Sequence, residues 1–546
     1  MSREQKGRNI TIKTRLKKGG GRADAGLIPP FFNVLMDQRT IAIVGGGASG
    51  TATFIHLVLK LIVAPEPEPI AFAVIEPRDE IGPGLAYDTG QKGHLLNTSA
   101  GLMGIFAEET NHFVDWMLEH RDIVEREYPD TAINANSYPP RELYGIYLNS
   151  VFEEYVDLAR QHGMTVDLYN ELAVDATITE EGATVTLESG QRIEADVLVL
   201  ATGTPKPNNF NKLESSPNYL DSPWPAGHIL KTITDKDASV CVLGASLTAI
   251  DAVITLVNNG HQGPIKLYSK DGLIPRVQSP EEKPFERQVL TMANVRRIMR
   301  EQQRTLRASD LFRLFRAEVE REIGPQDWKS FKRVGKNQLD LLTEDIELAK
   351  RYASIFQNIL YSTRHISFAI WQLLPPDERI RFTKWLKPYS DINRHAMPLK
   401  NGEKIRDLLA SGQLSVTAYS DKVEWNDETK TYTLTTEKGY VDTADYVINA
   451  TGPATKADKM RVPILEKLLE KEQLLPCEAG GFQADVNTMQ LCVPEIEDAP
   501  VYGIGHVLVG ELFDTNAVWF NVERVDPLTT AIIKRLQHER TERAAH

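Results

Sequence analysis

The chain has 546 residues, a formal net charge of -13 and 42% hydrophobic residues. That length accommodates two or three domains around a large buried core, and the composition is ordinary for a globular protein. The acidic balance argues against a general nucleic-acid binder, and no apolar run reaches membrane-spanning length. The cysteines, Cys241, Cys477 and Cys492, form no C-x-x-C pair for disulfide exchange or zinc and point to a reducing, cytoplasmic setting.

Residues 1–38 differ in kind from the rest. They carry Arg3, Lys6, Arg8, Lys13, Arg15, Lys17, Lys18 and Arg22 with Gly19-Gly20-Gly21, but no apolar core of a secretory signal. A disordered basic tail without catalytic role is predicted. An organellar transit peptide and a true start at Met36 are the alternatives.

Residues 40–44 form a short apolar strand that runs into Gly45-Gly46-Gly47-Ala48-Ser49-Gly50, and a helix is predicted over 51–62. In such a G-x-G-x-x-G turn Gly45 permits the tight turn, Gly47 lets backbone approach a pyrophosphate, and Gly50 lets helix and strand pack closely. The helix N-terminus offers N–H groups and partial positive charge to phosphate beside Ala48 and Ser49. A second strand, 70–75, ends in Glu76, an acid placed to accept hydrogen bonds from ribose hydroxyls. The interval between turn and acid is slightly long, and Pro65-Glu66-Pro67-Glu68-Pro69 reads as an inserted turn. Strand before and helix after make this a dinucleotide site rather than an idle turn.

Next come Gly82-Pro83-Gly84-Leu85-Ala86-Tyr87, His94-Leu95-Leu96-Asn97-Thr98 and Gly101-Leu102-Met103. They are too rich in turn formers for a regular element and too apolar for a solvated linker, so they are predicted to pack against a ligand. Helices over 111–119 and 144–158 flank Tyr138-Pro139-Pro140-Arg141. An antiparallel meander is predicted over 165–169, 173–177 and 184–187. It leads into a buried parallel strand, Ala195-Asp196-Val197-Leu198-Val199-Leu200, followed by the small residues Ala201-Thr202-Gly203.

A second glycine turn, Gly244-Ala245-Ser246-Leu247-Thr248-Ala249, follows a strand and opens a helix, but Ser246 stands where the middle glycine belongs. A strand over 265–268 then leads to Lys270 and Arg276. Residues 282–385 read as helical, with Phe285, Val289, Met292, Val295 and Met299 on one face. Trp328, Phe356, Phe368, Trp371 and Trp385 read as core aromatics. After Asp391-Ile392-Asn393-Arg394-His395 and a helix, a second meander over 414–441 closes in Ala444-Asp445-Tyr446, then Ala450-Thr451-Gly452, repeating the earlier pattern. A strand and turn at Val501 to His506, and the stretch from Gly510 to Asn516, lead into a last helix from Ala517 toward Leu536.

Two glycine turns, the acid after the second strand, two A-T-G segments and a late glycine strand together resemble the α/β flavoproteins with two dinucleotide-binding domains. The closer resemblance is to bacterial FAD–NAD(P)-binding proteins related to flavin N-hydroxylases and class B monooxygenases. It is carried by Gly84-Leu85-Ala86-Tyr87, His94-Leu95-Leu96-Asn97, Pro140-Arg141 with Tyr144-Gly145 and Tyr147, Arg394-His395 and Asp514-Thr515-Asn516-Ala517-Val518. It runs from about residue 39 to about 538. The resemblance implies a Rossmann-like FAD lobe (39–230), a Rossmann-like NAD(P) lobe (231–281), a large helical insertion (282–400), and a return to both lobes (401–546) with a flavin-contacting helix.

In such a fold Gly45, Gly47, Ala48, Ser49 and Gly50 surround the FAD pyrophosphate, and Glu76 takes the adenosine ribose. Thr202, Gly203 and Gly505 permit close approach at the strand ends. His94, Leu95, Leu96 and Asn97 run beside the flavin, with a satisfied core histidine as the other reading of His94. Arg141 holds a phosphate or a surface carboxylate. Asn516, Ala517 and Val518 face the pyrimidine edge of the flavin. Gly244, Ser246 and Lys270 hold NADPH, a basic residue there favouring it over NADH; a structural remnant is the alternative. The implied activity is an NAD(P)H-dependent monooxygenase acting through a flavin hydroperoxide on a nitrogen, sulfur or carbonyl group of a small molecule. Hydride transfer without oxygen insertion and a non-catalytic FAD-binding redox sensor are the alternatives. No metal, nucleic acid or integral membrane segment is implied, and no catalytic residue is singled out. Where the family usually continues with Pro and Glu, this chain has Trp519-Phe520-Asn521, so no substrate carries over.

Overall fold

In the computed structural model, the described residues are 38–65, 69–329, 331–418, 422–435 and 439–545. Residues 1–37 of the predicted tail, and 66–68 of the predicted inserted turn, lie outside them.

Near-continuous apolar runs make strands buried on both faces, and here they build two parallel sheets. The first sheet places Arg39–Val44 at its centre, with Ile70–Ile75 and then Thr165–Tyr169 on one side and Val197–Leu200 and then Val501–Gly503 on the other. Ala484–Asp485 and Gln490–Leu491 add an antiparallel edge. The second sheet orders Leu414–Ala418, Ile265–Ser269, Val240–Leu243, Tyr446–Asn449 and Tyr219–Leu220, all parallel. Its last strand comes from before residue 231, so the second lobe draws on the chain earlier than the predicted boundary.

Each lobe carries a three-stranded antiparallel meander, and in each the structure corrects the predicted membership by one strand. Thr165–Tyr169 pairs parallel with Ile70–Ile75, and the meander is Ala173–Ile178, Ala183–Leu187 and Arg192–Ala195. Leu414–Ala418 likewise pairs parallel with Ile265–Ser269, and the meander is Lys422–Asn426, Thr431–Thr435 and Val441–Ala444. The reason is the same in both: a helix, Arg141–Gln161 or Leu399–Ser411, precedes the strand and carries the chain back as a parallel crossover.

The stretch predicted as helical begins later than expected. The first helix is Met292–Gln302, capped by the Thr291 hydroxyl, which accepts the Asn294 N–H at 3.3 Å. Before it, the fully buried Glu318 carboxylate accepts the N–H groups of Gln288, Val289 and Leu290, where the backbone bends around it. Phe285 and Val289 still pack in the same apolar cluster as Met292, Val295 and Met299. Further helices run from Ala308–Ile323 to Lys387–Arg394. One of them, Gln338–Lys350, gives Leu342, Ile346 and Ala349 to the core of the second lobe.

The last helix, Val518–Ala545, packs along Ala48–Ile62, where Lys60 reaches Asp526 at 2.8 Å. Among the described residues no helix is long and apolar enough to cross a membrane.

Candidate functional site at the carboxyl ends of the strands

The register of the first sheet sets Val44 beside Ile75 and Leu200, and Leu200 beside Gly503. Everything that follows those residues therefore emerges along one edge: Gly45–Gly50, Glu76, Ala201–Gly203 and Ile504–Gly505. In open α/β sheets that edge is where ligands bind.

Gly45 has φ +108°, and a Cβ there would lie 2.1 Å from the Ala201 carbonyl oxygen. A Cβ on Gly50 would lie 1.9 Å from the Gly45 oxygen, so helix Ala48–Ile62 starts in direct backbone contact with the turn. The Gly46 N–H donates to Glu76 at 2.9 Å, and Arg78 pairs with the other carboxylate oxygen at 2.9 Å. The predicted ligand-packing stretch closes over this turn: Gly82 N–H donates to Gly46 O at 2.7 Å, and a Cβ on Gly84 would stand 3.0 Å from Gly47 Cα.

These residues fit an adenine dinucleotide. Helix Ala48–Ile62 begins at Gly47 with neither a capping side chain nor an acid in its first turn, which leaves its N–H groups for a phosphate. At Gly47 a Cβ would meet only Gly84 Cα, at 3.6 Å. Gly203, at φ +72°, has nothing within 4 Å of a built Cβ, and Thr202 beside it is half-buried. Ala48 and Ser49 are half-buried at the mouth of the turn, and Glu76 closes it from the next strand.

The late glycine joins the same cradle. Gly505, φ +81°, lies so that its Cβ would be 3.6 Å from Ser49 Oγ and 3.9 Å from Asn521 Nδ2. The start of the last helix is thus held beside the start of the first. Ala517 N–H donates to Asp514 O at 2.8 Å, and Asn521 donates to Thr515 O at 2.9 Å. Buried Asp514 takes both Nη atoms of Arg394, at 2.5 and 3.0 Å. Asn516 is exposed, Ala517 half-buried and Val518 buried.

His94 and Arg141 lie between the lobes. His94 is fully buried, its Nε2 lies 3.0 Å from the Asp251 carbonyl oxygen and 2.9 Å from Thr255 Oγ1, and its ring meets Trp224 edge-on. Burial pushes its pKa below the ordinary 6.5. Arg141 pairs with the buried Asp251 carboxylate at 3.0 Å and donates from Nε to Leu95 O at 3.2 Å. Leu96 is buried and its N–H donates to Pro139 O at 2.9 Å, while Leu95 and Asn97 are half-buried. The acid that Arg141 pairs with is buried rather than on the surface, and it belongs to helix Leu247–Asn258 of the second lobe.

The second lobe repeats the geometry of the first turn. Gly244 also has φ +108°, with a Cβ that would lie 2.2 Å from Ala450 O. Ser246 is exposed at the N-cap of Leu247–Asn258 and makes no cap hydrogen bond. Lys270 is exposed at the end of its strand. Arg276 turns away into the helical layer, where it pairs with Asp345 at 2.8 Å.

Two acids that organise the site, Asp251 and Asp345, were not singled out in the sequence. Asp251 is a lone acid in an apolar helix, a signal that was there to read. Asp345 lies 69 residues from its Arg276 partner and carries none.

Residues 42–205 match the model of an FAD-NAD(P)-binding family. The uncharacterized protein YdhS of Escherichia coli (strain K12) is 26% identical over 225 residues, 40% of this chain. The chain spans about two fifths of the length of that relative, 39%. Among solved structures, the ornithine hydroxylase of Pseudomonas aeruginosa is similar at a TM-score of 0.54 and 14% identity, covering 91% of this chain and 99% of that one. The L-lysine 6-monooxygenase of Pseudomonas syringae is similar at a TM-score of 0.53 and 12% identity, covering 90% and 99%. The fold of this chain is therefore that of the flavoproteins with two dinucleotide-binding domains, with a large helical layer added.

Proposed function

We propose that this chain is an FAD-dependent, NADPH-oxidising monooxygenase of a small molecule, acting at a nitrogen, sulfur or carbonyl group in the cytoplasm. The observation that carries the reading is the meeting of four segments on one sheet edge: the Gly45–Gly50 turn, Glu76, Thr202-Gly203, and Gly505 with the start of the last helix. The match to an FAD-NAD(P)-binding family over 42–205 covers that turn and acid, and the similar structures are named as a hydroxylase and a monooxygenase.

FAD supplies hydride acceptance from NADPH and reaction with dioxygen, chemistry that belongs to the cofactor. Overall, substrate, dioxygen, NADPH and a proton give oxygenated substrate, water and NADP+. The protein's part is to bind, orient and exclude water. The N–H groups of Ala48–Gly50 hold the pyrophosphate and Glu76 holds the ribose. Of the segment read as flanking the flavin, the half-buried Leu95 and Asn97 wall it, while His94 is fully buried against Asp251 and Thr255 and Leu96 is buried beneath. The N–H groups of Asn516 and Val518 stabilise negative charge on its pyrimidine edge, because a helix start carries partial positive charge; the Ala517 N–H is already taken by the Asp514 carbonyl. The Arg394–Asp514 pair fixes that helix start. In the second lobe Gly244 and Ser246 approach the NADPH pyrophosphate and Lys270 meets its 2′-phosphate. Ser246, a side chain where backbone must come close, favours one second reading, an FAD-binding redox sensor that no pyridine nucleotide reduces.

The FAD site is tested by Gly47→Val. The branched side chain enters the gap between Gly47 and Gly84, so the purified variant is expected to be folded by circular dichroism and colourless. A folded variant that keeps stoichiometric FAD contradicts the assignment.

A further inference from the structure

The helical layer lines a cavity of about 810 Å³ that is open to one side. That is within the range of roughly 300–1,000 Å³ typical of small-molecule sites. Its walls are aromatic, with Phe312, Phe315, Trp328, Phe356, Trp371 and Phe513 among them. Three more aromatic lining residues remain far from fully packed: Phe331, Trp385 and Tyr389 are 36%, 39% and 40% exposed. Four of the five aromatics that the sequence reads as core thus face a space, and only Phe368 packs elsewhere, on Phe520.

The wall is also cationic, in a chain of net charge -13. Arg276, Lys332, Arg333, Lys336 and Arg394 line it, against the single carboxylate of Glu344. Behind the wall, Asp345 pairs with both Arg276 and Arg333, and Asp514 pairs with Arg394. Arg276 also donates to Asn393 Oδ1 at 3.2 Å, and Glu344 acts on Arg333 beside Asp345, so the excess positive charge of the lining rests on Lys332, Lys336 and the guanidinium pair together, with the Arg333 Nε buried without a partner. Phe513 and Arg394 connect this space to Asp514 and the start of the last helix.

We propose that this cavity binds a small monoanion with a large apolar body, a carboxylate on an aromatic or long hydrocarbon frame, and that it is the substrate chamber. A buried apolar wall selects the body, and two guanidinium groups over one acid select the anionic head. As a substrate chamber it rests on the oxygenase reading above; as a binding site it stands alone.

The test uses the full-length protein and three probes: biphenyl-4-carboxylate, its neutral amide, and L-lysine. Trp328, Trp371 and Trp385 line the cavity, so binding is read as quenching of tryptophan emission. The carboxylate is expected to bind roughly tenfold tighter than the amide, and L-lysine to leave the emission unchanged. Arg333→Gln brings carboxylate and amide to within about threefold of each other. Ile323→Trp, at a lining position that is 46% exposed and so tolerant of change, fills the space and abolishes binding. Equal affinity for carboxylate and amide, no quenching by either, or binding undisturbed by Ile323→Trp overturns the proposal. Because the reading needs no flavin, carboxylate binding by protein that never takes up FAD overturns the oxygenase and keeps the site. FAD uptake with NADPH bleaching but no carboxylate binding does the reverse.

Discussion

Gly45 and Gly244 carry the same φ, and each would drive a Cβ to about the same distance from a carbonyl on the neighbouring strand. The two turns share only their first glycine: Ala249 stands in place of Gly50, and at the middle position Ser246 stands in place of Gly47. That residue gives a prediction in which stability and binding move in opposite directions. Ser246 caps no N–H, so Ser246→Asp places a carboxylate at a vacant helix N-terminus and is expected to raise stability by about 0.3–1 kcal/mol. The same charge repels a pyrophosphate, and the KM for NADPH is expected to rise roughly tenfold or more. Thermal melts and NADPH titrations check both halves, and an unchanged KM removes the second lobe from the nucleotide path. The glycines were legible because each requirement is local: a positive φ or a backbone approach demands glycine whatever surrounds it. Arg276 was not, because its partner depends on how Gln338–Lys350 packs against the second lobe, and no spacing encodes that.

At the scale of elements, the segment around His94 and helix Leu247–Asn258 act as a strut between the lobes. The His94 ring bonds to Asp251 O or Thr255 Oγ1, and Arg141 pairs with the Asp251 carboxylate, so both ends of the contact are buried. Burial lowers the folded pKa of His94 beneath 6.5, with Asp251 acting against it. Below pH 6.5 the unfolded chain therefore binds a proton that the folded chain refuses, and stability falls as pH drops. His94→Gln removes this group and is expected to lose less melting temperature than wild type between pH 7.5 and 5.5, an interval of about two pH units around the histidine range. Identical pH slopes for the two proteins contradict a neutral, buried His94. The elements themselves were mostly readable from apolar runs and turn residues. The errors fell where a strand's partner, not its own pattern, decides its role. Thr165–Tyr169 and Leu414–Ala418 have the alternation of meander strands, yet each is the return strand of a parallel crossover. Residues 285–291 have helical spacing, yet Glu318 takes their N–H groups and the helix waits for Thr291.

At the scale of the molecule, two lobes repeat one turn geometry, and the helical layer adds an aromatic-lined cavity open to one side. Helical spacing reads alike for a packed core and for the wall of a cavity, which is why Trp328, Phe356, Trp371 and Trp385 gave no warning of it. The central claim is that the first lobe holds FAD and the second delivers electrons to it. Mixing FAD-loaded protein with NADPH in the absence of oxygen tests this most directly. The account predicts that the yellow colour bleaches stoichiometrically and returns, with oxygen consumed, when air is admitted; FAD that stays yellow in the presence of both NADPH and NADH contradicts it.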